Sequence, residues 1–145
     1  MKVFIDAMGP MPYCSVGGQA LMQGCMEIVN RKYPEAIFTY FCHYPEHEKI
    51  YLSKMPYRFE VIQRPRNPLL AGLKMKKISK ASDVVISAWG DGYITTPPHL
   101  LLRKTYFLKN HNTPMLLFTP SIGPIASSGI KRWLVKTGLK KFEFI

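Results

Sequence analysis

Six short apolar runs alternate with longer stretches of helical character, and this alternation constrains the fold more than any other feature of the sequence. The strand candidates, rich in β-branched and aromatic residues, are Lys2–Asp6, Ala36–His43, Phe59–Gln63, Asp83–Ala88, Met115–Pro120 and Phe142–Ile145. The helix candidates between them are Gly18–Lys32, Pro45–Lys54, Leu69–Lys80, Pro97–Lys109 and Gly129–Lys140. Near-continuous apolar strands are typical of parallel sheets that helices cover on both faces. The sequence therefore predicts an α/β fold with a Rossmann-like, doubly wound parallel sheet.

Local signals predict how two of the helices pack and begin. In the first helix, Leu21, Cys25, Ile28 and Val29 stand at positions i, i+4, i+7 and i+8, which predicts one buried face. In the fourth, Thr96 has the character of an N-cap, and the proline that follows it suits the first helical position.

Composition limits the class of protein. The chain has 145 residues and is 47% hydrophobic, which suits one compact domain rather than a disordered segment. Its longest apolar stretches are far too short to span a membrane, and Asp6 interrupts the apolar start that a secretory signal requires. We therefore expect a cytoplasmic protein whose cysteines, Cys14, Cys25 and Cys42, are reduced.

The positive charge is confined to the second part of the chain. Residues 1–63 carry six basic and six acidic side chains, whereas residues 64–145 carry fourteen basic and three acidic ones, so the net charge of +11 arises there. This asymmetry indicates an anionic partner, such as a phosphate, an acidic polymer, a membrane surface or nucleic acid. A solvated basic surface, or one that complements an acidic second domain, is the alternative explanation.

The end of the chain falls within the last strand candidate, Phe142–Ile145, with no polar tail after it. Natural termini usually taper off at the surface of a domain. We therefore expect residues 1–145 to form a single Rossmann-like N-terminal domain, truncated before a missing C-terminal domain.

The topology also predicts where a ligand binds. Ligands of open α/β sheets bind outside the carboxyl ends of the strands, at the point where the strand order reverses. With the common order 3-2-1-4-5, that point lies between the first and fourth strands. The loops that meet there are Ala7–Gly18, Ala88–Ile94 and Pro120–Ile125, and we predict the functional site in these loops.

The first of these loops brings Gly17, Gly18 and Gln19 to the start of the first helix. Paired glycines let the backbone approach a ligand closely, and the free N–H groups of a helix start favour an anion. A tight turn with a glycine cap is the alternative. A nicotinamide cofactor is not predicted, because no G-x-G-x-x-G follows the first strand and His43 stands where an acid that binds a ribose is expected.

The second loop contains the candidate catalytic residue, Asp91, which lies between Gly90 and Gly92 after a buried strand. Its carboxylate could accept a proton from a substrate hydroxyl or hold hydroxyls in place. The alternative is an aspartate bonded to its own backbone in a turn. Trp89 and Tyr93 could stack on the face of a substrate ring or could serve in packing.

The third loop presents Ser121 and Gly123 between two prolines, Pro120 and Pro124. The prolines fix the path of the chain as it leaves the sheet. Ser121 and the nearby N–H groups are therefore candidates for substrate binding.

Taken in order, these three loops resemble those of the polysaccharide pyruvyl transferase family. The segment Gly17–Leu21 matches a glycine-rich opening followed by A-L before the first helix. The segment Asp83–Asp91 matches an apolar strand that runs into a glycine-rich loop with an aspartate, and Phe118–Pro124 matches a strand that ends in S-I-G-P. Two positions depart from the family pattern: Gly18 or Gln19 replaces an aspartate beside the first glycine, and Trp89 interrupts the second glycine run.

The resemblance implies one half of a two-domain, glycosyltransferase-B-like enzyme. Such an enzyme uses phosphoenolpyruvate as its donor substrate, without a cofactor, and forms a pyruvate ketal on a sugar of a cell-wall or exported polysaccharide. Because the donor is held mainly by the C-terminal domain, the resemblance implies that this chain is the acceptor side and is inactive alone. The implied partners are a sugar or lipid-linked oligosaccharide acceptor and the missing domain, with peripheral contact to the inner face of the membrane.

Two other functions remain open from the sequence. The N-terminal domain of a nucleotide-sugar glycosyltransferase would share the architecture, because function resides in sites rather than in folds. A non-enzymatic module could bind nucleic acid or another anion through the basic second part of the chain. Nucleic acid ranks last among the partners, because the lysines in residues 74–80 lack the interleaved aromatic residues that stack on bases.

The histidines do not predict a metal site. His43 and His47 stand in H-Y-P-E-H, which differs from the helical H-E-x-x-H of zinc enzymes. His99 and His111 are expected at the surface or with satisfied hydrogen bonds. We therefore predict no metal.

Overall fold

The computed structural model describes residues 1–7, 16–88, 97–109, 112–118 and 129–143, which form a five-stranded sheet and five helices. The strands are β1 (Lys2–Ala7), β2 (Ile37–Cys42), β3 (Arg58–Gln63), β4 (Val84–Ala88) and β5 (Met115–Leu117). The helices are α1 (Val16–Lys32), α2 (Pro45–Leu52), α3 (Pro68–Lys80), α4 (Pro98–Leu108) and α5 (Gly129–Leu139). The predicted alternation of strands and helices is confirmed.

The strand order is β3-β2-β1-β4-β5, and every neighbouring pair is parallel. The order therefore reverses between β1 and β4, as predicted. At the carboxyl ends of these two strands the register places Asp6 opposite Ser87 and Ala7 opposite Ala88. The Rossmann-like sheet is confirmed, and its switch point lies at this pair of strand ends.

Two hydrophobic cores, one on each face of the sheet, hold the helices in place, because alternate strand residues point to opposite faces. In the first core, Val3 and Ile5 of β1 pack with Met22 of α1 and Leu52 of α2. The second core joins strand residues to the three later helices: it contains Phe4, Val85, Met115, Met75, Ile78, Leu108 and Val135. The basic helices α3, α4 and α5 therefore cover a single face of the sheet. None of the five helices is long and apolar enough to cross a membrane.

The buried face of α1 is offset from the predicted one. Met22, Cys25 and Met26 are buried, whereas Ile28, predicted to be buried, is 61% exposed. At about 100° per residue, Met22, Cys25, Met26 and Val29 form one stripe, and Ile28 lies to one side of it. The predicted face therefore contained Cys25 and Val29 from the buried stripe, together with Leu21 and Ile28 from the stripe next to it.

Helix α4 begins one residue later than predicted. Pro98 occupies the first helical position, and Pro97 is the N-cap with φ −54° and ψ 134°. A residue that precedes proline is kept out of the helical conformation by steric clash, so the second of the two prolines has to start the helix. Thr96, the predicted N-cap, lies outside the described residues.

The segment after α5 runs beside β5. The N–H of Glu143 donates to the carbonyl of Met115 at 2.9 Å, and Phe142 is buried in the second core. Neither Phe142 nor Glu143 belongs to a strand. The rest of the predicted sixth strand, Phe144 and Ile145, lies outside the described residues.

Candidate functional site

A buried polar cluster lies where the strand order reverses. Asp6, near the end of β1, is 7% exposed, and its neighbour Ser87 on β4 is fully buried. The Ser87 hydroxyl donates a hydrogen bond to Oδ2 of Asp6 at 3.1 Å. A carboxylate at the end of an apolar strand loses hydration on folding, so its partners must compensate for that loss.

Lys104 of α4 supplies the opposite charge. Its Nζ lies 2.5 Å from Oδ2 of Asp6, and its side chain is only 13% exposed. Burial lowers the pKa of Lys104 to about 8, although attraction and hydrogen bonding by the Asp6 carboxylate act in the opposite direction; the positive charge of Arg64 adds to the lowering. Lys104 therefore gives up its proton far more readily than an exposed lysine does.

The position of Lys104 follows from the helical period. Leu108 is 1% exposed, and Lys104 shares its side of α4 because it stands four residues before it. On β1, Asp6 lies on the same face as Phe4, since side chains two apart point the same way. Phe4 belongs to the core beneath α3, α4 and α5, so Asp6 points towards the helix that carries Lys104.

The Asp6–Lys104–Ser87 cluster combines a structural role with chemical potential. The ion pair connects α4 to β1, and the hydroxyl connects β4 to β1. A lysine with a pKa of about 8 exchanges a proton near neutral pH, and titratable groups perturbed in this way concentrate in the crevices where α/β proteins bind ligands. The cluster can therefore hold the strand ends and α4 in place at this rim, and its lysine can exchange a proton there.

A basic cavity of about 500 Å³ lies at the carboxyl ends of β2 and β3, on the same edge of the sheet as the cluster. Four basic residues line it, namely His43, Arg64, Arg66 and Lys74. Burial lowers the pKa of His43, and the charges of Arg64 and Arg66 lower it further. Arg64 also acts on the pKa of Lys104, so the cavity and the cluster share one electrostatic environment.

The predicted site residues of the first loop, Gly17, Gly18 and Gln19, lie in the first turn of α1. Helix α1 begins at Val16, two residues before the predicted start at Gly18, so both glycines lie within the helix. The Oε1 of Gln19 accepts a hydrogen bond from the Tyr51 hydroxyl at 3.0 Å, which ties the start of α1 to α2. The remaining predicted site residues lie outside the described residues: Trp89, Gly90, Asp91, Tyr93, Ser121 and Gly123.

None of Asp6, Ser87 and Lys104 is among the residues predicted from the sequence. Two signals point to them in retrospect. Asp6 and Ser87 are polar residues at the carboxyl ends of otherwise apolar strands, V-F-I-D and V-V-I-S-A. Lys104 stands on the buried stripe of an amphipathic helix, where a charge requires a partner.

The cysteines that the structure describes are free and buried, namely Cys25 and Cys42. Burial raises the pKa of Cys25 to about 12. Burial also raises the pKa of Cys42 to about 11, assisted by the negative charge of Glu48. Both thiols are therefore unreactive at neutral pH. Cys14 lies outside the described residues.

Across the described ranges, no group of three or more histidine, cysteine, aspartate or glutamate side chains is arranged to hold a metal ion. The three histidines in those ranges are exposed: His43, His47 and His99. His111 lies outside them.

A protein-family model described as Polysaccharide pyruvyl transferase matches residues 16–145, which is most of the chain. Ser87 and Lys104 lie within the matched range, whereas Asp6 precedes it. Comparisons with curated proteins and with solved structures gave no match.

Proposed function

Because this chain belongs to the polysaccharide pyruvyl transferase family, we propose that it is the acceptor-binding half of an enzyme that transfers pyruvyl from phosphoenolpyruvate to a sugar. The sugar belongs to a cell-wall or exported polysaccharide. The observation that carries the acceptor assignment is the buried Asp6–Lys104 pair at the switch point. In this proposal a second, C-terminal domain of a glycosyltransferase-B-like enzyme holds the donor, and no cofactor takes part.

The reaction joins two acceptor hydroxyls and phosphoenolpyruvate into a ketal and inorganic phosphate. One hydroxyl oxygen attacks C2 of the enol while the methylene carbon takes up a proton and becomes a methyl group. The second hydroxyl then displaces phosphate from the same carbon. Of the two protons that the hydroxyls lose, one accounts for the proton taken up by the methylene carbon and the other leaves with phosphate. The reaction needs a base, an acid and cations for the carboxylate and phosphate.

We assign the base to Asp91. It follows the end of β4 by three residues, directly after the strand that carries Ser87 into the switch point. A carboxylate there is suited to accept a proton from an acceptor hydroxyl. The residues assigned to acceptor binding are Gly17, Gly18, Gln19, Trp89, Gly90, Tyr93, Ser121 and Gly123.

Asp6 and Lys104 act as positioning residues beneath that rim. Their ion pair fixes the carboxyl end of β1 relative to α4, and Ser87 couples β4 to the same carboxylate. A substitution that breaks the pair should therefore disturb acceptor binding without removing a group that touches the sugar. Proton transfer depends on sub-ångström placement, so a small shift at this rim lowers turnover.

Acceptor binding is tested by saturation-transfer NMR on the chain with a panel of cell-wall monosaccharides and disaccharides. We expect at least one saccharide to bind and Asp91→Asn to weaken it by about tenfold, the loss of a hydrogen bond to a charged group. Glu46→Gln, which removes the carboxylate of an exposed ion pair with Lys49, should leave binding unchanged. Binding of a nucleotide sugar but of no free saccharide would instead support the glycosyltransferase alternative.

Transfer by the chain alone is tested by phosphate release from phosphoenolpyruvate in the presence of the same saccharides. We expect no release that depends on the saccharide, because the donor site belongs to the second domain. Saccharide-dependent release, with a ketal detected by mass spectrometry, would show that the chain is a complete enzyme and would contradict the assignment of one half.

We place the enzyme in the cytoplasm, in contact with the inner face of the membrane. Helix α5 supports this placement, because Ile130 is 76% and Trp133 is 61% exposed beside the basic Arg132 and Lys136. Exposed apolar side chains interleaved with basic ones suit the surface of an anionic bilayer. Co-sedimentation with vesicles that contain anionic lipid tests this, and Trp133→Ser should reduce it; equal sedimentation with neutral vesicles would contradict it.

A further inference from the structure

The basic cavity contains a concentration of positive charge that the ketal-forming steps assigned above do not use. His43 follows β2, Arg64 and Arg66 follow β3, and Lys74 lies on α3. The remaining lining residues are Tyr44, Gln63 and Pro65, so no carboxylate lines the cavity. Like charges that converge on one cavity repel each other, and a bound anion removes that cost.

Specific contacts hold the walls of this cavity. The N–H of Arg64 donates to the carbonyl of Cys42 at 2.6 Å, which ties the exit of β3 to the end of β2. The guanidinium of Arg64 lies 6.0 Å from the centre of the Phe41 ring, a cation–π arrangement that orients it. The Nζ of Lys74 donates to the carbonyl of Gln63 at 3.1 Å. Arg64 and Lys74 are therefore oriented before a ligand arrives.

Helix α3, which carries Lys74 into the lining of the cavity, begins at a well-defined N-cap. Oδ1 of Asn67 accepts hydrogen bonds from the N–H groups of Leu69 at 2.9 Å and Leu70 at 3.2 Å, and Pro68 takes the first helical position. This cap fixes where α3 begins. The position of Lys74 relative to the two arginines is therefore set by the helix rather than by a mobile loop.

The size and chemistry of the cavity select the ligand. A volume of about 500 Å³ lies within the range of small-molecule sites. Two arginines, each a planar fork of donors, match the oxygens of a phosphate group, and a lysine adds a point charge. His43 carries less charge than an isolated histidine, because partial burial and the charges of Arg64 and Arg66 lower its pKa, and its neutral ring can contribute one hydrogen bond.

We propose that this cavity binds the phosphate or diphosphate group of a phosphorylated sugar acceptor. The inference rests on the proposed function for the identity of the sugar, and on the cavity alone for the phosphate. The cavity spans β2 and β3, and the switch point lies between β1 and β4, about two strand spacings or ~10 Å away. In this proposal a phosphate held by Arg64 and Arg66 leaves the attached sugar extending towards Asp6 and the carboxyl end of β4.

Calorimetric titration of the chain tests the phosphate site with inorganic phosphate, inorganic pyrophosphate and a hexose 1-phosphate. We expect saturable binding that Arg64→Gln/Arg66→Gln weakens at least about tenfold through loss of charge-assisted hydrogen bonds. The control Arg132→Gln/Lys136→Gln removes two exposed charges from α5 and should change affinity less than about twofold, an effect of net charge alone. Equal losses in the two double variants, or binding that does not saturate, would overturn the site.

Comparison of ligands separates the sources of the phosphate. If the acceptor carries it, the hexose 1-phosphate binds at least about tenfold more tightly than inorganic phosphate, and Asp91→Asn removes that gain but leaves inorganic phosphate binding intact. If phosphoenolpyruvate binds more tightly than the hexose 1-phosphate, and does so through the two arginines, the cavity serves the donor and the acceptor assignment is wrong. Intact pyrophosphate binding with no gain from any sugar would leave the phosphate site standing and contradict the proposed function.

Discussion

The substitution Asp6→Asn isolates the charge of the buried pair. The asparagine keeps the shape of the side chain and an oxygen that can still accept the hydrogen bond from Ser87. It removes the carboxylate that lies 2.5 Å from Nζ of Lys104, a side chain only 13% exposed. Removing one partner of a buried ion pair costs about 3–5 kcal/mol, because the other charge stays buried without compensation. That is a large share of the 5–15 kcal/mol by which a domain is typically stable.

Lys104 itself limits this cost. The Asp6 carboxylate raises the pKa of Lys104, so the pKa falls below about 8 when the carboxylate is removed. The lysine of the variant then loses its proton at a lower pH than the lysine of the wild type does. The destabilisation by Asp6→Asn should therefore be greatest near pH 6, decrease as the pH rises to about 8, and remain level above it.

Urea unfolding followed by far-ultraviolet circular dichroism measures this effect. A cycle of Asp6→Asn, Lys104→Met and the double variant should give a coupling free energy of about 1–3 kcal/mol. The control Glu46→Gln breaks an ion pair whose side chains are 78% and 55% exposed, and should cost less than about 1 kcal/mol. A cost for Asp6→Asn of less than about 0.5 kcal/mol, the level of an ordinary surface substitution, or of no more than the control, would show that the buried pair does not stabilise the fold.

Three further predictions concern Lys104, two helical glycines and a buried cysteine. Lys104 has a pKa of about 8 in the folded chain against its usual 10.5, so between those values the unfolded chain binds more protons and the free energy of unfolding rises with pH. In urea titrations the free energy of unfolding of the wild type should rise by about 1 kcal/mol per pH unit relative to that of Lys104→Met. A difference between the two proteins that does not change with pH would contradict the lowered pKa of Lys104. Gly72→Ala should cost about 1–3 kcal/mol, because a Cβ there would lie 2.6 Å from the Phe107 ring. In contrast, a Cβ added at Gly24 in α1 has no atom within 4 Å, so Gly24→Ala should stabilise the fold by about 0.5–1 kcal/mol. Calorimetry should therefore show a lower melting temperature for Gly72→Ala and a higher one for Gly24→Ala. Shifts in the same direction for the two variants would contradict the close contact between Gly72 and Phe107. Burial raises the pKa of the Cys25 thiol to about 12, so this thiol should resist alkylation at pH 8 until the chain is unfolded. Peptide mass spectrometry follows the modification. Alkylation of the folded chain at the rate of a free thiol would contradict the burial of Cys25.

The sheet was predictable because the pattern that defines it is local. Apolar runs such as V-F-I and V-V-I alternate with amphipathic helices, and chain connectivity leaves few ways to arrange them. The common strand order assumed for such a fold is the one observed, and it placed the switch point between β1 and β4. Details that depend on a one-residue offset were harder to predict. Ile28 was assigned to the buried face of α1 and is exposed, and α4 starts at Pro98, because the apolar period is ambiguous by one position and a proline excludes the residue before it from the helix.

The site could be predicted only as a location. Loop motifs led to the carboxyl edge between the first and fourth strands, where the structure indeed has a polar cluster. The residues of that cluster come from elements far apart in the chain: Asp6 from β1, Ser87 from β4 and Lys104 from α4. Their pairing depends on which faces of a helix and a strand meet, and sequence spacing within any one element does not contain that information. Prediction from motifs therefore favoured Asp91 and the glycines over a buried ion pair.

The most direct test of the account is the position of a bound acceptor. Crystals of the chain soaked with the tightest-binding saccharide of the NMR panel should show it at the carboxyl edge, within hydrogen-bond distance of Asp91 and next to the Asp6–Lys104 pair. Density for the saccharide at the opposite edge, near Lys80 and Lys109, or on the exposed side of α5, would contradict the assignment of this edge as the acceptor site.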